Sequence, residues 1–353
     1  MGDTYRTIRV AAVQAAPVFL DRERTVEKAC GLIREAGAAG AHLVGFPEGY
    51  IPSHPLWFHF HAASSVKAMQ FSRELFCNSV EIPGPATEEL CRAAREARIY
   101  VVTGLCEKTP GRMGTLYNTL LFIDDHGNIM GRHRKLHPTL GERLVHAPGD
   151  AEGLRAFQTE FGAVSGLMCG ENSNALSIFS LDAQGTTVHV ASWPAHFSLS
   201  TTMGDIIEVA SKALAYQTKS FVINAVGAID DRMREVLPIT DEDRAFLSRQ
   251  HGGASIVAPR GKFIAGPMGP GEGIVYADVN ISDIIIPKIT QDFSGHYNRF
   301  DIFSLSVNMG GNPPVRRLPS VAPEHEHDHD RALPEPLPKR ELSNKAVPRL
   351  TSD

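Results

Sequence analysis

Apolar positions along the chain fall into two patterns, short unbroken runs and repeats at helical spacing, and the two take turns. Residues 7–15 (Thr-Ile-Arg-Val-Ala-Ala-Val-Gln-Ala) are a short apolar run closed by Pro17, which predicts a strand. From Asp21, a good helix cap, Val26, Ala29, Cys30, Ile33 and Ala36 recur at helical spacing, predicting a helix to about residue 39 that Gly40 ends. Residues 41–46 are a second strand stopped by Pro47. The first fifty residues therefore read as strand–helix–strand with Glu48 at the tip. A helical stretch follows around 66–76, and Thr87 is expected to cap a helix through 98 with Leu90, Cys91, Ala94 and Ala97 turned inward. Strands are predicted over 99–104, 117–123 and 128–135. The last two are joined through Asp124-Asp-His-Gly127, a hairpin signal that makes the sheet mixed.

The run 161–169 ends on Cys169, turns at Gly170, and leads into a helix expected over 171–181. Alternation then resumes with a strand over 187–192 ending at Trp193-Pro194, a helix over 205–216 and a strand over 220–226. A hairpin of 255–258 with 262–265 turns over Pro259-Arg-Gly261, and 273–279 is a last strand. This order predicts a layered α/β fold. Beyond about Gly310 the chain becomes Pro-rich and carries the run Glu324-His-Glu-His-Asp-His-Asp330. The expected organisation is one domain over 1–309 and a disordered or loosely docked tail over 310–353. The histidine run reads first as a solvated tail with incidental affinity for a transition metal.

Composition narrows the classes. The chain has 353 residues, 42% hydrophobic and 21% charged, with a formal net charge of -5, as expected for a globular core. No basic stripe marks a nucleic-acid surface, and no run of about 18 apolar residues marks a membrane span. The N-terminus shows no apolar segment of a secretory signal. Five widely spaced cysteines, an odd number with no CxxC pair, argue against a disulfide framework and a structural zinc site. They suit a reducing, cytoplasmic compartment.

Candidate chemistry gathers at strand ends. Glu48, Lys135 and Cys169 stand at or just past the carboxyl ends of predicted strands, where open α/β sheets place their sites. Cys169 reads either as a small core residue or as a nucleophile. A following helix would lower its pKa through N–H groups and the helix dipole. A carboxylate in a dry site can act as the base for such a thiol, and a lysine can stabilise the negative charge that develops on attack. Each residue also has a bland alternative: Glu48 as a surface turn, Lys135 as one of a basic row with Arg132, His133 and Arg134.

Phe46-Pro-Glu-Gly-Tyr-Ile-Pro52, His133-Arg-Lys-Leu-His-Pro-Thr139 and Cys169-Gly-Glu-Asn172 resemble the three signature segments of the nitrilase superfamily. Glu142-Arg-Leu-Val145 with Gly149-Asp150, and Gly295-His-Tyr-Asn-Arg-Phe-Asp-Ile302, resemble further segments of its nitrilase branch. The resemblance covers about residues 6–308. It implies a four-layer α-β-β-α sandwich with mixed sheets, and a homo-oligomer built from dimers, extending in some relatives into spirals. It further implies Cys169 as nucleophile, Glu48 as general base, Lys135 as stabiliser of the tetrahedral species and Glu142 as a supporting carboxylate. Two glutamates beside one lysine would push a proton towards one carboxyl and keep the lysine charged. The implied reaction converts a small-molecule nitrile to an acid and ammonia through a thioimidate and a thioester, with an amide as by-product. It has no redox step and needs no cofactor or metal.

Three positions depart from the family pattern. Gly170 stands where a large aromatic is common, and Ala175 and Phe300 where proline is common. Gly170 is expected to open space beside the thiol. Tyr50, His54, Trp57, Trp193 and Pro194 are expected to line the substrate pocket, the two tryptophans having packing as their alternative. His54, His137 and His196 are expected to be satisfied hydrogen-bonding groups, and His296 a structural one. Rival readings are a cyanide hydratase or dihydratase, an aliphatic amidase of the same superfamily, and a non-catalytic filament or assembly subunit.

Overall fold

The computed structural model describes residues 2–196, 202–249 and 252–310. The strands are β1 (Thr7–Ala15), β2 (Leu43–Gly45), β3 (Tyr100–Lys108), β4 (Leu116–Ile123), β5 (Ile129–Arg134), β6 (Phe157–Thr159), β7 (Gly162–Met168), β8 (Thr186–Trp193), β9 (Phe221–Gly227), β10 (Ser255–Ala258), β11 (Lys262–Ala265) and β12 (Gly273–Asn280). The α-helices are α1 (Arg22–Ala38), α2 (Val66–Asn78), α3 (Pro85–Ala97), α4 (Ala175–Asp182), α5 (Met203–Thr218), α6 (Asp231–Val236), α7 (Asp241–Ser248) and α8 (Ile285–Thr290). Among the described residues no helix is long and apolar enough to cross a membrane. The chain divides into a unit over Met1–Asn312 and a second over Pro313–Asp353. The latter, with its histidine run, lies outside the described residues.

Strand pairing resolves into two mixed sheets. One runs β5-β4-β3-β2-β1-β12 and the other β6-β7-β8-β9-β10-β11. They meet where β1 outruns β2 and pairs with β9, Gln14 with Val226 and Ala15 with Gly227. Side-chain alternation along β1 explains the layering. Ile8, Val10 and Ala12 face the second sheet, in a core with Leu167, Val188, Val190 and Ile223. Ala11, Val13 and Ala15 face the other way, onto Val26, Ala29 and Ile33 of α1 and Leu90 and Ala94 of α3. The sheets approach so closely that a Cβ on Gly45 would sit 2.7 Å from Val190 Cγ1. Helices α4 and α5 cover the second sheet through Ile178, Leu181, Ile207 and Leu214. The result is the expected α-β-β-α sandwich. A third core, built by Trp57, Phe71, Leu75, Met233 and Phe246, joins α2, α6 and α7.

Local signals explain most boundaries. Asp21 caps α1 by accepting from Arg24 N–H (3.0 Å). Thr87 does not cap α3. The helix begins two residues earlier at Pro85, and Thr87 Oγ1 instead accepts from Gly84 N–H (2.9 Å) as the third residue of the first turn. The helix expected from Glu171 is also different: a 3-10 turn over Cys169–Ser173 is followed by a break at Asn174, whose side chain caps α4.

Candidate active site

Four segments bring the site together. Glu48 lies three residues beyond β2, in a turn where Gly49 has a left-handed φ of +56°. Gly104 of β3 lies directly beneath it: a Cβ there would come 2.2 Å from Pro47 O and 2.9 Å from Glu48 Cα. The Glu48 N–H reaches Trp193 O at 3.3 Å, which ties the turn to the end of β8. Lys135 follows β5 and donates its N–H to Asn118 O of β4 (2.8 Å). Glu142 sits in a 3-10 turn over Leu140–Leu144.

Cys169 follows β7 with φ +48°, a left-handed conformation costing a residue with a Cβ about 1–2 kcal/mol. Buried polar groups hold it there. Asn172 Nδ2 donates to Leu167 O (3.2 Å) and Cys169 O (3.1 Å), and Asn172 Oδ1 faces His189 Nε2 at 2.9 Å. Ser165 Oγ occupies the other ring nitrogen of His189 at 2.8 Å. Burial pushes His189 down to about 3, so it works as a neutral ring. Glu171 accepts from Met168 N–H (3.2 Å) and Leu136 N–H (2.7 Å), and so clamps the Cys169 turn to the Lys135 loop.

Lys135 Nζ lies between two carboxylates, donating to Glu48 Oε1 and Glu142 Oε2 at 2.6 Å each. Asn118 Nδ2 bridges the same pair, 2.7 Å from Oε1 of both. Glu142 also accepts from Thr139 N–H (2.9 Å) and contacts His146 Nδ1 (3.1 Å). Glu48 Oε2 is buried and has no hydrogen-bond partner among the described residues. Glu48, Lys135, Glu142 and Cys169 line one cavity of ≈ 10 Å³, about the space one water needs. His54, Phe58, His59 and Thr139 form part of its wall, and Leu140, Pro194 and His196 complete it.

The electrostatics separate the two carboxylates. Burial raises Glu48 to about 7, opposed by Lys135 and assisted by Glu142. Burial also works against ionised Glu142, but the His146 hydrogen bond and the Lys135 charge outweigh it and hold this carboxyl well below the usual range. Burial alone would lower Lys135. The two glutamates reverse that, and the ammonium stays charged. Cys169 is pushed up to about 12, by burial first and by Glu48 next, with Lys135 and the Gly170 N–H pulling the other way. The expected lowering of this thiol by a helix start is therefore corrected, because only a five-residue 3-10 turn follows it. Glu48, His54 and Glu142 present ligand atoms within 4.8 Å of one another, but the Lys135 ammonium already supplies the cation between the carboxylates.

The cavity gathers Cys169, Glu48, Lys135, Glu142, His54 and Pro194 from the residues expected at the site. Gly170 is exposed beside it. A Cβ there would meet only Thr139 Oγ1, at 4.0 Å, so the space next to the thiol is open. Three pocket expectations are corrected. Tyr50 turns away into the core under α1, its ring 5.6 Å from Phe46 and its hydroxyl donating to Ala16 O (3.3 Å). Trp57 packs 5.6 Å from Phe71 in the third core, while its neighbour Phe58 takes the cavity-facing position. Trp193 packs in the core of the second sheet, Nε1 donating to Asn224 Oδ1 (3.0 Å), and its carbonyl accepts from the Glu48 N–H.

Of the histidines, His54 differs from expectation. His54 Nδ1 has no hydrogen-bond partner among the described residues and lies 4.0 Å from Glu48 Oε1. Burial pushes it down to about 3, so it is neutral. His196 lies 4.7 Å from Phe246, ring to ring. His137 and His296 are exposed and lie outside the cavity. Asn118, Thr139 and His146 escaped sequence reasoning. For Asn118 the signal was a polar side chain inside the apolar strand Leu116–Ile123.

The residue pattern of the carbon-nitrogen hydrolase family matches residues 9–285. Nitrilase 2 from an unknown prokaryotic organism is 40% identical over 317 residues, 89% of this chain and 96% of that one. The nitrilase of Bacillus sp. (strain OxB-1) is 34% identical over 91% of this chain and 94% of its own. In fold, the carbon-nitrogen hydrolase from Helicobacter pylori G27 superposes with a TM-score of 0.63 at 17% identity, over 82% of this chain and 94% of that one. The chain belongs to the carbon-nitrogen hydrolase family and, within it, stands among the nitrilases.

Proposed function

We propose that this protein hydrolyses an organic nitrile to the carboxylic acid and ammonia, through intermediates held covalently on Cys169. One observation carries the reading: a charged Lys135 joins Glu48 and Glu142 in the buried cavity that also holds the Cys169 thiol. Relatives of similar length that bear the name nitrilase support it.

Glu48, through its free Oε2, takes the thiol proton as sulfur adds to the nitrile carbon. The nitrogen takes up that proton, giving a thioimidate. Glu48 then deprotonates a water that adds to the same carbon. The nitrogen takes that proton back from Glu48 and then the one left on the added oxygen, so the carbon–nitrogen bond of the tetrahedral species breaks, ammonia leaves and a thioester remains. A second water, activated the same way, cleaves the carbon–sulfur bond and restores the thiol. Lys135 opposes the negative charge that develops at each addition, and Glu142 anchors the lysine. Where the tetrahedral species expels sulfur instead of nitrogen, the amide is released.

The small cavity keeps a second reading alive, in which the substrate is cyanide or a short aliphatic amide. A panel of aliphatic and aryl nitriles, their amides and cyanide, with acid, amide and ammonia all quantified, decides between them. Cys169-dependent acid from nitriles is the expected result, and ammonia from amides alone would overturn the nitrile reading.

Two features of setting belong to the proposal. Five free thiols suit a reducing cytoplasm. The protein assembles as a dimer-based homo-oligomer through the outer helices of the sandwich, where Val209, Tyr216, Ile286 and Ile289 are exposed.

A further inference from the structure

We propose that Asn118 is a positioning residue that, with a single amide group, holds the Glu48 carboxyl in place and tempers its affinity for the mobile proton. The inference rests on the nitrile-hydrolase reading and extends it to a residue that does not touch the reacting atoms.

Asn118 is buried on β4, between β3 and β5. Its backbone carbonyl fixes Lys135 through the lysine's N–H. Its Nδ2 has two hydrogens, and both are spent on carboxylates, one on Glu48 Oε1 and one on Glu142 Oε1. The amide thus serves both carboxylates alike, and the inequality between them comes from Thr139 N–H and His146, which reach Glu142 alone. Glu142 gathers Lys135, Asn118, Thr139 N–H and His146 over both its oxygens. Glu48 gathers Lys135 and Asn118 on one oxygen, which leaves Oε2 as the open proton acceptor. The same two bonds stop the Glu48 carboxyl from rotating, so Oε2 stays turned away from the lysine.

Lys135, Glu142 and His54 are the charged or titratable groups against Glu48, and Cys169 and Cys106 feel its charge. Of these, only Lys135 favours the Glu48 anion, so the neutral Asn118 donor is its second support. Loss of that donor makes Glu48 more basic and frees it to turn. A merely structural asparagine would lower activity equally at every pH.

The test uses the full-length protein as Asn118→Leu, close in shape but without donors, and as the milder Asn118→Ser. Two profiles are measured against pH: kcat/KM on a nitrile the parent hydrolyses, and the rate of Cys169 alkylation by iodoacetamide. The expected result is an acid limb moved up by about one pH unit. Activity then falls about tenfold at pH 6 and recovers towards the parent's value above pH 9. A limb that stays in place, or a loss uniform across pH in both variants, overturns the proposal. If the parent turns over no nitrile, the functional reading fails by itself, and the alkylation profile still decides whether Asn118 tempers the basicity of Glu48.

Discussion

The sulfur of Cys169 sits where ionisation is opposed. Its surroundings raise the thiol to about 12 and set Glu48, the neighbouring acceptor, at about 7. The resting pair is a neutral thiol with a carboxylate above pH 7, and a neutral thiol with a carboxylic acid below it. Only the carboxylate can accept a proton, and Glu48 is raised above its ordinary value. Activity is therefore present above pH 7 and lost as pH falls through it. A kcat/KM profile should show an acid limb near 7, and a flat profile down to pH 5 would contradict Glu48 as base. Cys169→Ala should remove turnover by at least about 10³-fold while circular dichroism stays that of the parent. Residual acid production above that level would remove Cys169 from the mechanism. Gly170 concerns selection instead. Its Cβ direction is open apart from Thr139 Oγ1, so Gly170→Phe should cost little stability, within about 0.5 kcal/mol. It should depress kcat/KM for bulky nitriles more than for short ones. Equal effects on both would show that substrates do not pass over this position.

At the scale of elements, the site depends on turns braced by the strand next door. Gly104 is the sharpest case, because any Cβ on it collides with backbone of the Glu48 turn, not with a flexible side chain. Gly104→Ala should cost about 1–3 kcal/mol and displace Glu48, so that kcat falls even in the fraction that remains folded. Thermal melts together with kcat per folded molecule test this, and an unchanged kcat would show that the turn absorbs the methyl group elsewhere. How far the sequence could be read depended on where information sits in the chain. Strand β1, the hairpin at Asp124–Gly127 and the two β10–β11 strands are written in local pattern, and the structure has them where the pattern predicts. Convergence of Glu48, Lys135 and Cys169 was suggested by their places just past strand ends, and it was the resemblance of their segments to a known family that implied it. The break at Asn174 was hidden by an uninterrupted helical pattern. Helices α6 and α7 went unassigned because their apolar faces serve only the third core, which forms from distant segments. Trp57 and Trp193 misled for the same reason: a bulky ring near a site in sequence says nothing of which face it turns to. Asn118 acquires its meaning only across strands, through two carboxylates far from it in the chain.

For the whole molecule, the four layers decide which surfaces remain to be used. Helices α1 and α3 form one outer layer and α4 and α5 the other. α8 lies beside α5, with Tyr216 Oη donating to Gln291 Oε1 just past its end (3.3 Å). α5 already buries Ile207, Ala210 and Leu214 inward, so Val209 and Tyr216 are apolar positions beyond what the core requires. Ile286 and Ile289 repeat this on α8. A row of four such residues on adjoining helices fits burial against a second copy. Replacing Val209 and Ile289 together by glutamate places two like charges on each side of such an interface, where neither finds a partner. Each position is exposed in the single chain, so its own stability should change by less than about 0.5 kcal/mol per site. The mass in solution should instead fall to that of one chain, read by light scattering on a size-exclusion column, with the circular dichroism unchanged. The same measurement on a chain ending at Gly310 separates the helix face from the tail. Every described strand and helix precedes that point, so the shortened protein should stay folded and soluble and keep its nitrile turnover. If the double glutamate leaves the mass of the full chain untouched while the shortened chain falls to a single copy, association belongs to residues 311–353 and not to the outer helices.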